Sequence, residues 1–135
     1  MGVQGGIVEF VLPGTHLTVT AGAAITGGTM VKLSANRTCI ITSGVADAGV
    51  IGVALFTVAS GDANLTVATD GVWPLTASGS IAFGDDLVSA AAGAVSALAA
   101  AATATAADIN NARRVFGAAL ESISNAATGR CKLRR

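Results

Sequence analysis

The side chains that could do covalent chemistry are few in this sequence and stand apart from one another. His16 is the one histidine in the chain. Nucleophilic catalysis needs a base close to an activated serine, and no serine here lies in a Gly-x-Ser-x-Gly motif. The phosphate-binding pattern Gly-Lys-Ser/Thr does not occur either. We therefore expect the protein not to be an enzyme, with no catalytic residue and no cofactor.

Groups that could hold a metal ion are equally sparse. Asp85-Asp86 could bind a cation, but the alternating oxygen ligands of an EF-hand loop are missing, so a polar turn is the simpler interpretation. Cys39 and Cys131 form no Cys-x-x-Cys motif, and no His-x-x-x-His pattern occurs. We expect no metal site. Whether the two cysteines pair with each other stays open.

The end of the chain is strongly basic. Residues 1–112 carry two basic and seven acidic side chains, whereas residues 113–135 carry six basic and one acidic. A contact with nucleic-acid phosphates is one interpretation, but no aromatic residue for base stacking lies beside this segment. We prefer a last strand with Cys131 and Leu133 toward the core. Its charges would then meet water or an acidic neighbour: Arg130, Lys132, Arg134 and Arg135.

Short apolar runs separated by turn residues predict a mainly β single domain, a small β-barrel or β-sandwich. Two runs, 50–55 and 115–120, each have a glycine at the third position. They are typical of buried strands that another backbone approaches closely. Similar segments flank both runs, so we interpret the chain as an imperfect duplication of one β-unit. Extra residues are inserted in the second copy near Leu98–Asp108.

Local patterns give further expectations for individual strands. Residues 30–34 alternate, which predicts Val31 and Leu33 on the inner face of a strand. Asp70-Gly71 predicts a hairpin turn, because both positions tolerate a positive φ. Pro74 has no N–H group to donate, so its strand should lie at an edge of a sheet or end there.

Residues 87–107 carry no charge and are long enough to cross a bilayer as a helix. Their alanine, serine, threonine and glycine residues supply little of the hydrophobicity that insertion needs. The favoured interpretation is two short strands around Gly93, then a surface excursion with Asp108 capping at most one short helix that ends at Arg114. A small membrane protein is kept as an alternative, as is a β-barrel ligand-binding module.

The composition also favours association. A chain of 135 residues is one domain by length, and only 12% of its residues are charged. A monomer would expose much weakly apolar surface, which often marks an interface. Residues 1–14 form a glycine-rich arm with a strand-like run that either joins the protein's own sheet or adds a strand to a neighbour. That run contains Ile7, Val8, Glu9, Phe10, Val11 and Leu12.

Six segments rich in glycine, alanine and valine extend over almost the whole chain: Phe10-Val11-Leu12-Pro13-Gly14, Leu17-Thr18-Val19-Thr20-Ala21, Gly27-Gly28-Thr29-Met30-Val31, Val50-Ile51-Gly52-Val53-Ala54-Leu55, Asp70-Gly71-Val72 and Val115-Phe116-Gly117-Ala118-Ala119-Leu120. Together they resemble the small capsid decoration, or cement, proteins of tailed bacteriophages. The alanine-rich insertion departs from the shorter connection expected in such proteins.

This resemblance implies a β-tulip-like domain over residues 15–135 and a purely structural role. It implies homotrimers that are made in the host cytoplasm and bind the outside of the virion head. At three-fold positions they would clamp neighbouring major capsid proteins. From the residues themselves, we expect no direct nucleic-acid partner and no membrane. Our candidates for the capsid contact are the strand-like run of the arm, 7–12, and the basic side chains of 130–135.

Overall fold

The computed structural model describes residues 16–99 and 105–133. These residues form ten strands and one α-helix, which confirms a mainly β domain with one short helix. The helix, α1, spans Ala106–Arg113, and a 3₁₀ turn covers Ala91–Gly93. The strands are β1 (His16–Ala21), β2 (Met30–Ala35), β3 (Thr38–Ile41), β4 (Val50–Ala54), β5 (Leu65–Ala68), β6 (Gly71–Thr76), β7 (Asp86–Ser89), β8 (Val95–Ala97), β9 (Gly117–Ala119) and β10 (Thr128–Leu133).

The strands divide into two groups, which we call the first half (residues 16–69) and the second half (residues 71–133). The first half is a closed barrel with the strand order β1-β3-β2-β4-β5. The second half is a sheet with the order β6-β10-β9-β7-β8. The two ends of that sheet meet at a parallel bridge between Ala77 and Val95.

Both halves have the same topology, so the predicted duplication is confirmed. When β6–β10 are matched in order to β1–β5, each strand pairing of one half has a counterpart in the other. The isolated bridge between Ile25 and Val58 corresponds to that between Ile81 and Ile123. The insertion also lies where it was expected. Residues 98–116 connect β8 to β9, whereas only residues 42–49 connect β3 to β4.

Gly52 and Gly117 occupy the same place in the two halves. A Cβ atom at Gly52 would collide with the carbonyl oxygen of Ala68 on β5, and one at Gly117 would collide with that of Lys132 on β10. The strand that carries each glycine lies too close to its neighbour for a side chain. This explains why a glycine interrupts each of the two apolar runs.

The core has two parts. One fills the first barrel and includes Val31 and Cys39. The other fills the second half and extends to Met30, Val53 and Ala68 of the first half. Because successive side chains of a strand alternate between its faces, these three point out of the first barrel and toward the second half. Strand β4 is therefore covered on both faces, which accounts for its uninterrupted apolar sequence.

Hydrogen bonds also join the halves at the loop between β3 and β4. The Thr42 hydroxyl donates to the carbonyl of Ala90 at 2.9 Å. The buried Ser89 hydroxyl donates to the carbonyl of Gly44 at 3.0 Å and accepts from the backbone N–H of Asp47 at 2.8 Å. Since buried polar groups are costly when unpaired, these bonds fix one orientation of the two halves.

The structure corrects the expected hairpin at Asp70-Gly71. The turn chemistry is present, because Gly71 has a φ of +99° and its N–H donates to the Asp70 carboxylate at 2.7 Å. However, β5 pairs with β1 and β4, whereas β6 pairs with β10. The dipeptide links the two halves and does not close a hairpin. Strand β6 does lie at the end of its sheet, as Pro74 predicted.

Leu33 was expected to be buried, but 46% of it is exposed. The register between β2 and β3 shifts after Leu33, where the strand leaves the barrel. Val31, two residues earlier, is fully buried as predicted.

The segment 87–107 contains two strands, as favoured, and the spanning-helix alternative is wrong. Strands β7 and β8 pair antiparallel around the turn that holds Gly93. Within residues 16–99 and 105–133, no helix is long and apolar enough to cross a membrane.

The cap of the short helix also differs from expectation. Thr105, and not Asp108, is the N-cap residue of α1. The Thr105 hydroxyl accepts from the N–H of Asp108 at 3.2 Å, and the Asp108 carboxylate accepts from the N–H of Thr105 at 3.1 Å. This reciprocal pair is a capping box, in which the acidic residue stands three positions after the cap.

Candidate contact surface

Strand β10 places the basic end of the chain on the surface. Its side chains alternate strictly, so Cys131 and Leu133 are buried whereas Arg130 and Lys132 are exposed. This confirms the preferred interpretation of the last strand. The other candidate contact residues lie outside the described part of the chain: Ile7, Val8, Glu9, Phe10, Val11, Leu12, Arg134 and Arg135.

The strands beside β10 surround its two basic side chains with apolar ones. Lys132 lies between Val72 on β6 and Ala118 on β9. Arg130 lies opposite Pro74, and its carbonyl accepts from the N–H of Leu120 at 3.0 Å. We call this surface the outer face of the second half. Its members are Val72, Pro74, Ala118, Leu120, Arg130 and Lys132.

The outer face combines charge with exposed apolar area. Val72 is 51% exposed and Leu120 is 50% exposed. The backbone N–H of Arg130 donates to the Glu121 carboxylate at 2.7 Å, which ties the start of β10 to the end of β9. Arginine beside apolar side chains is typical of protein interfaces. The arrangement suits an acidic protein surface with apolar patches.

Sequence reasoning did not single out two exposed phenylalanines. Phe83 is 75% exposed and Phe56 is 59% exposed. They lie at corresponding corners of the two halves, since the N–H of Phe83 donates to the Ser122 hydroxyl and that of Gly27 donates to the Thr57 hydroxyl beside Phe56. The Gly84-Asp85 turn directly after Phe83 was the available signal that this aromatic side chain lies in a corner rather than in the core.

Asp47, in the loop between β3 and β4, forms an ion pair with Lys32 on β2. The Lys32 ammonium is 3.1 Å from the Asp47 carboxylate. Burial acts to raise the pKa of Asp47. Hydrogen bonds from the N–H groups of Ser43 and Gly44, together with Lys32, outweigh burial and hold that pKa below its ordinary value of 3.8. The carboxylate therefore stays ionised and stabilises the loop.

The residues considered for chemistry have structural partners. The His16 ring meets the Trp73 ring edge-on, with centroids 6.4 Å apart. The Asp85 carboxylate accepts from the N–H of Ala82 at 3.0 Å, as a polar turn would. Over residues 16–99 and 105–133, no three metal-binding side chains come together.

Both cysteines are buried free thiols, one in each half. Burial raises the pKa of Cys39 to about 11. Burial, with a smaller contribution from the Glu121 carboxylate, raises the pKa of Cys131 to about 11 as well. Neither thiol is poised as a nucleophile or as a metal ligand, because both stay protonated near neutral pH.

Comparison with known proteins places the fold and the family. The chain is similar to a solved structure described as the head fiber gp8.5 N base in bacteriophage phi29, with 18% sequence identity and a TM-score of 0.62 over 88% of this chain and 92% of that one. Likeness at this identity concerns the fold. No curated protein matches the chain. The family model described as phage cement protein matches residues 11–135, so this chain belongs to the phage cement protein family, and its role is that of a capsid-associated structural protein of the virion.

Proposed function

We propose that the protein binds the outer surface of an assembled phage head and stabilises it by bridging neighbouring major capsid proteins, as trimers at three-fold positions. The observation that carries this proposal is membership in the cement family over residues 11–135. The protein acts by contact alone, with no catalytic step. Binding to the assembled shell but not to free subunits stabilises the shell by mass action. The many copies on one head add avidity.

Two parts of the chain are candidates for the shell contact. The first is the arm, whose strand-like run 7–12 would add a strand to a sheet of the shell. The second is the basic end, where Arg130 is exposed on the outer face. A basic group of this kind is attracted to an acidic shell surface, and salt would weaken the attraction.

The test mixes purified protein with expanded, undecorated heads, pellets the heads and images them by electron microscopy. We expect saturable co-pelleting and added density at three-fold positions on the outside of the shell. A wild-type protein that stays in the supernatant at all concentrations would refute the proposal.

Two variants separate the candidate contacts. A chain lacking residues 2–12 should keep its mass and circular dichroism but lose most head binding. If it decorates heads like the wild type, the arm is not the contact. Arg130→Glu should weaken binding and its salt dependence, whereas Arg130→Lys keeps the charge and serves as the matched control. Equal binding by both variants would exclude the basic end.

A further inference from the structure

Inside the chain, the first half covers one end of the second half. Met30, Val53 and Ala68, which point out of the first barrel, share a core with Phe116 and Leu133 of the second half. Only 8% of Phe116 and 2% of Leu133 remain exposed. The face of one β-unit therefore closes the end of the other β-unit.

No described residue closes the corresponding end of the first half in this way. Leu33 pairs with Cys39 as Ser89 pairs with Val95, so Leu33 is the counterpart of Ser89. Ser89 is fully buried, but Leu33 is 46% exposed. The counterparts of Phe116 and Leu133, which are Ile51 and Thr69, are only half-buried. We call this surface the open end of the first half; it consists of Leu17, Leu33, Ile51 and Thr69.

The second half carries a copy of the covering face that is more exposed than the original. The positions that match Met30, Val53 and Ala68 are Asp86, Ala118 and Lys132. Asp86 and Lys132 are exposed, and Ala118 is half-buried. Together with Val72, the counterpart of His16, this row belongs to the same sheet surface as the outer face. In the described part of the chain, one such contact is buried between the halves, whereas the matching end and the matching face are more exposed than their counterparts.

The loops that correspond to each other in the two halves differ. In the first half, the β3–β4 loop forms hydrogen bonds to the second half. The Thr42 hydroxyl donates to the Ala90 carbonyl, and the N–H of Asp47 donates to the Ser89 hydroxyl. The counterpart of this loop is the connection between β8 and β9, which carries α1. No residue of α1 is buried, and Ile109 is 51% exposed. Arg114, at the end of α1, donates from its guanidinium to the carbonyl of Ala46 at 2.8 Å, so this connection contacts the first half of its own chain.

We propose that copies of this chain associate head to tail, repeating between molecules the contact that exists inside each one. The outer face of the second half of one copy covers the open end of the first half of the next. The inference deepens the proposed self-association and rests on it, but it does not require shell binding. Contacts of this heterologous kind close into a ring when the rotation fits, as a trimer would.

The positions of two charged residues support this arrangement of the copies. Inside the chain, a Cβ atom at Gly93 would collide with the side chain of Thr29, so these two positions touch. Their counterparts are Arg37 and Asp85, which carry opposite charges. Arg37 has a φ of +48°, which repeats the left-handed conformation of Gly93 at +75°. In the described part of the chain, the ion pair joins Lys32 to Asp47 and does not involve Arg37.

In this arrangement, the two basic side chains of β10 have different roles, one in the contact between copies and one in the contact with the shell. Lys132 is the counterpart of the buried Ala68 and belongs to the contact between copies. Arg130 is the counterpart of the half-buried Thr66 and lies at the margin, where it stays available to the shell. The outer face is more polar than its counterpart in the first half, as expected of a contact between molecules that are folded before they meet.

A charge exchange tests the register. Arg37→Glu and Asp85→Lys should each place like charges against each other, and we expect each to weaken association about tenfold or more in sedimentation equilibrium. The double variant restores opposite charges and should recover most of the wild-type mass. Asp62→Lys is the matched control, because Asp62 is also a turn carboxylate that accepts a backbone N–H. It should leave the association unchanged.

Cross-linking tests the same contact without relying on charge. Chains carrying only Arg37→Cys are co-expressed with chains carrying only Asp85→Cys and then oxidised. We expect disulfide-linked dimers from this mixture and almost none from either variant alone, since the two new thiols meet only between copies. The control mixture replaces Arg37→Cys by Ser60→Cys, which lies on an exposed turn.

Three results would overturn the inference. The first is a wild-type protein that remains monomeric at high concentration. The second is an oligomer in which the single-cysteine pair gives no more cross-link than the control. The third is loss of association on removal of residues 2–12 with no effect of either charge reversal, which would make the arm the occupant of the open end. Specific cross-links in a protein that ignores heads would refute the shell proposal alone.

Discussion

The backbone N–H of Asp47 donates to the hydroxyl of Ser89 at 2.8 Å, across the boundary between the two halves of the duplication. The same hydroxyl donates to the carbonyl of Gly44 at 3.0 Å, and Ser89 has no exposed surface. This one side chain satisfies a donor and an acceptor of the opposite half. The orientation of the halves therefore depends on a buried polar contact as well as on apolar packing.

We expect Ser89→Ala to lower the free energy of unfolding by about 1–3 kcal/mol, because it leaves the Asp47 N–H and the Gly44 carbonyl without their partner. Urea denaturation followed by circular dichroism measures the change. Ser60→Ala, on an exposed turn, is the control and should shift the midpoint little. Equal midpoints for the two variants would show that the buried hydroxyl is dispensable.

Gly52→Ala and Gly117→Ala should each be strongly destabilising, at about 2–3 kcal/mol or more, because the new Cβ atom would force a strand away from its neighbour. The matched control is Gly44→Ala. Its Cβ would lie 3.5 Å from the Asp47 carboxylate and meet nothing closer. Thermal melts of the three variants give the comparison. A mild effect at Gly52 but not at Gly117 would contradict the structural equivalence of the two sites.

The ion pair at Asp47 predicts a dependence of stability on pH. Its pKa in the folded protein lies below 3.8, so its contribution is present above the unfolded pKa and is lost as pH falls through the folded pKa. We expect Asp47→Asn to be less stable than the wild type at pH 7 and to lose less stability on acidification to about pH 2–3. Urea midpoints between pH 7 and pH 2 test this. Parallel curves would assign the acid sensitivity to other carboxyl groups.

The two thiols should be protected in the folded state. With pKa values of about 11 and no exposed surface, Cys39 and Cys131 should react with a thiol reagent at pH 8 only as fast as the protein unfolds. In urea, both should react at once. Rapid reaction of one thiol in the native protein would show local opening of the half that contains it.

Several features were predictable because they depend on local patterns. The alternation of residues 130–133 decided which side chains face the core, and strand periodicity needs no tertiary information. The two glycine-containing runs revealed the duplication, because a close approach of two backbones excludes side chains wherever it occurs. The insertion was visible for the same reason, as an interruption of the second copy.

Other features were decided by partners far away in the chain. The Asp70-Gly71 dipeptide has the chemistry of a hairpin turn, but the strands on either side of it pair elsewhere. The alternation of residues 30–34 predicts Leu33 on the inner face of its strand. In the structure it lies at an end of the barrel that no described residue closes. Neither outcome follows from the local sequence, because each depends on which sheet a strand joins.

The β architecture, the repeat and the alternation of the last strand could be predicted without the structure, since all three follow from the period of side chains along a strand and from the steric demands of glycine. The unequal surroundings of the two halves could not be predicted, because they depend on how the halves pack against each other. Met30 and Lys132 belong to matching faces, but one face is buried by the other half while the other remains exposed. Two copies of one unit within a single chain can cover one such face, and the second face is exposed in the described part of the chain.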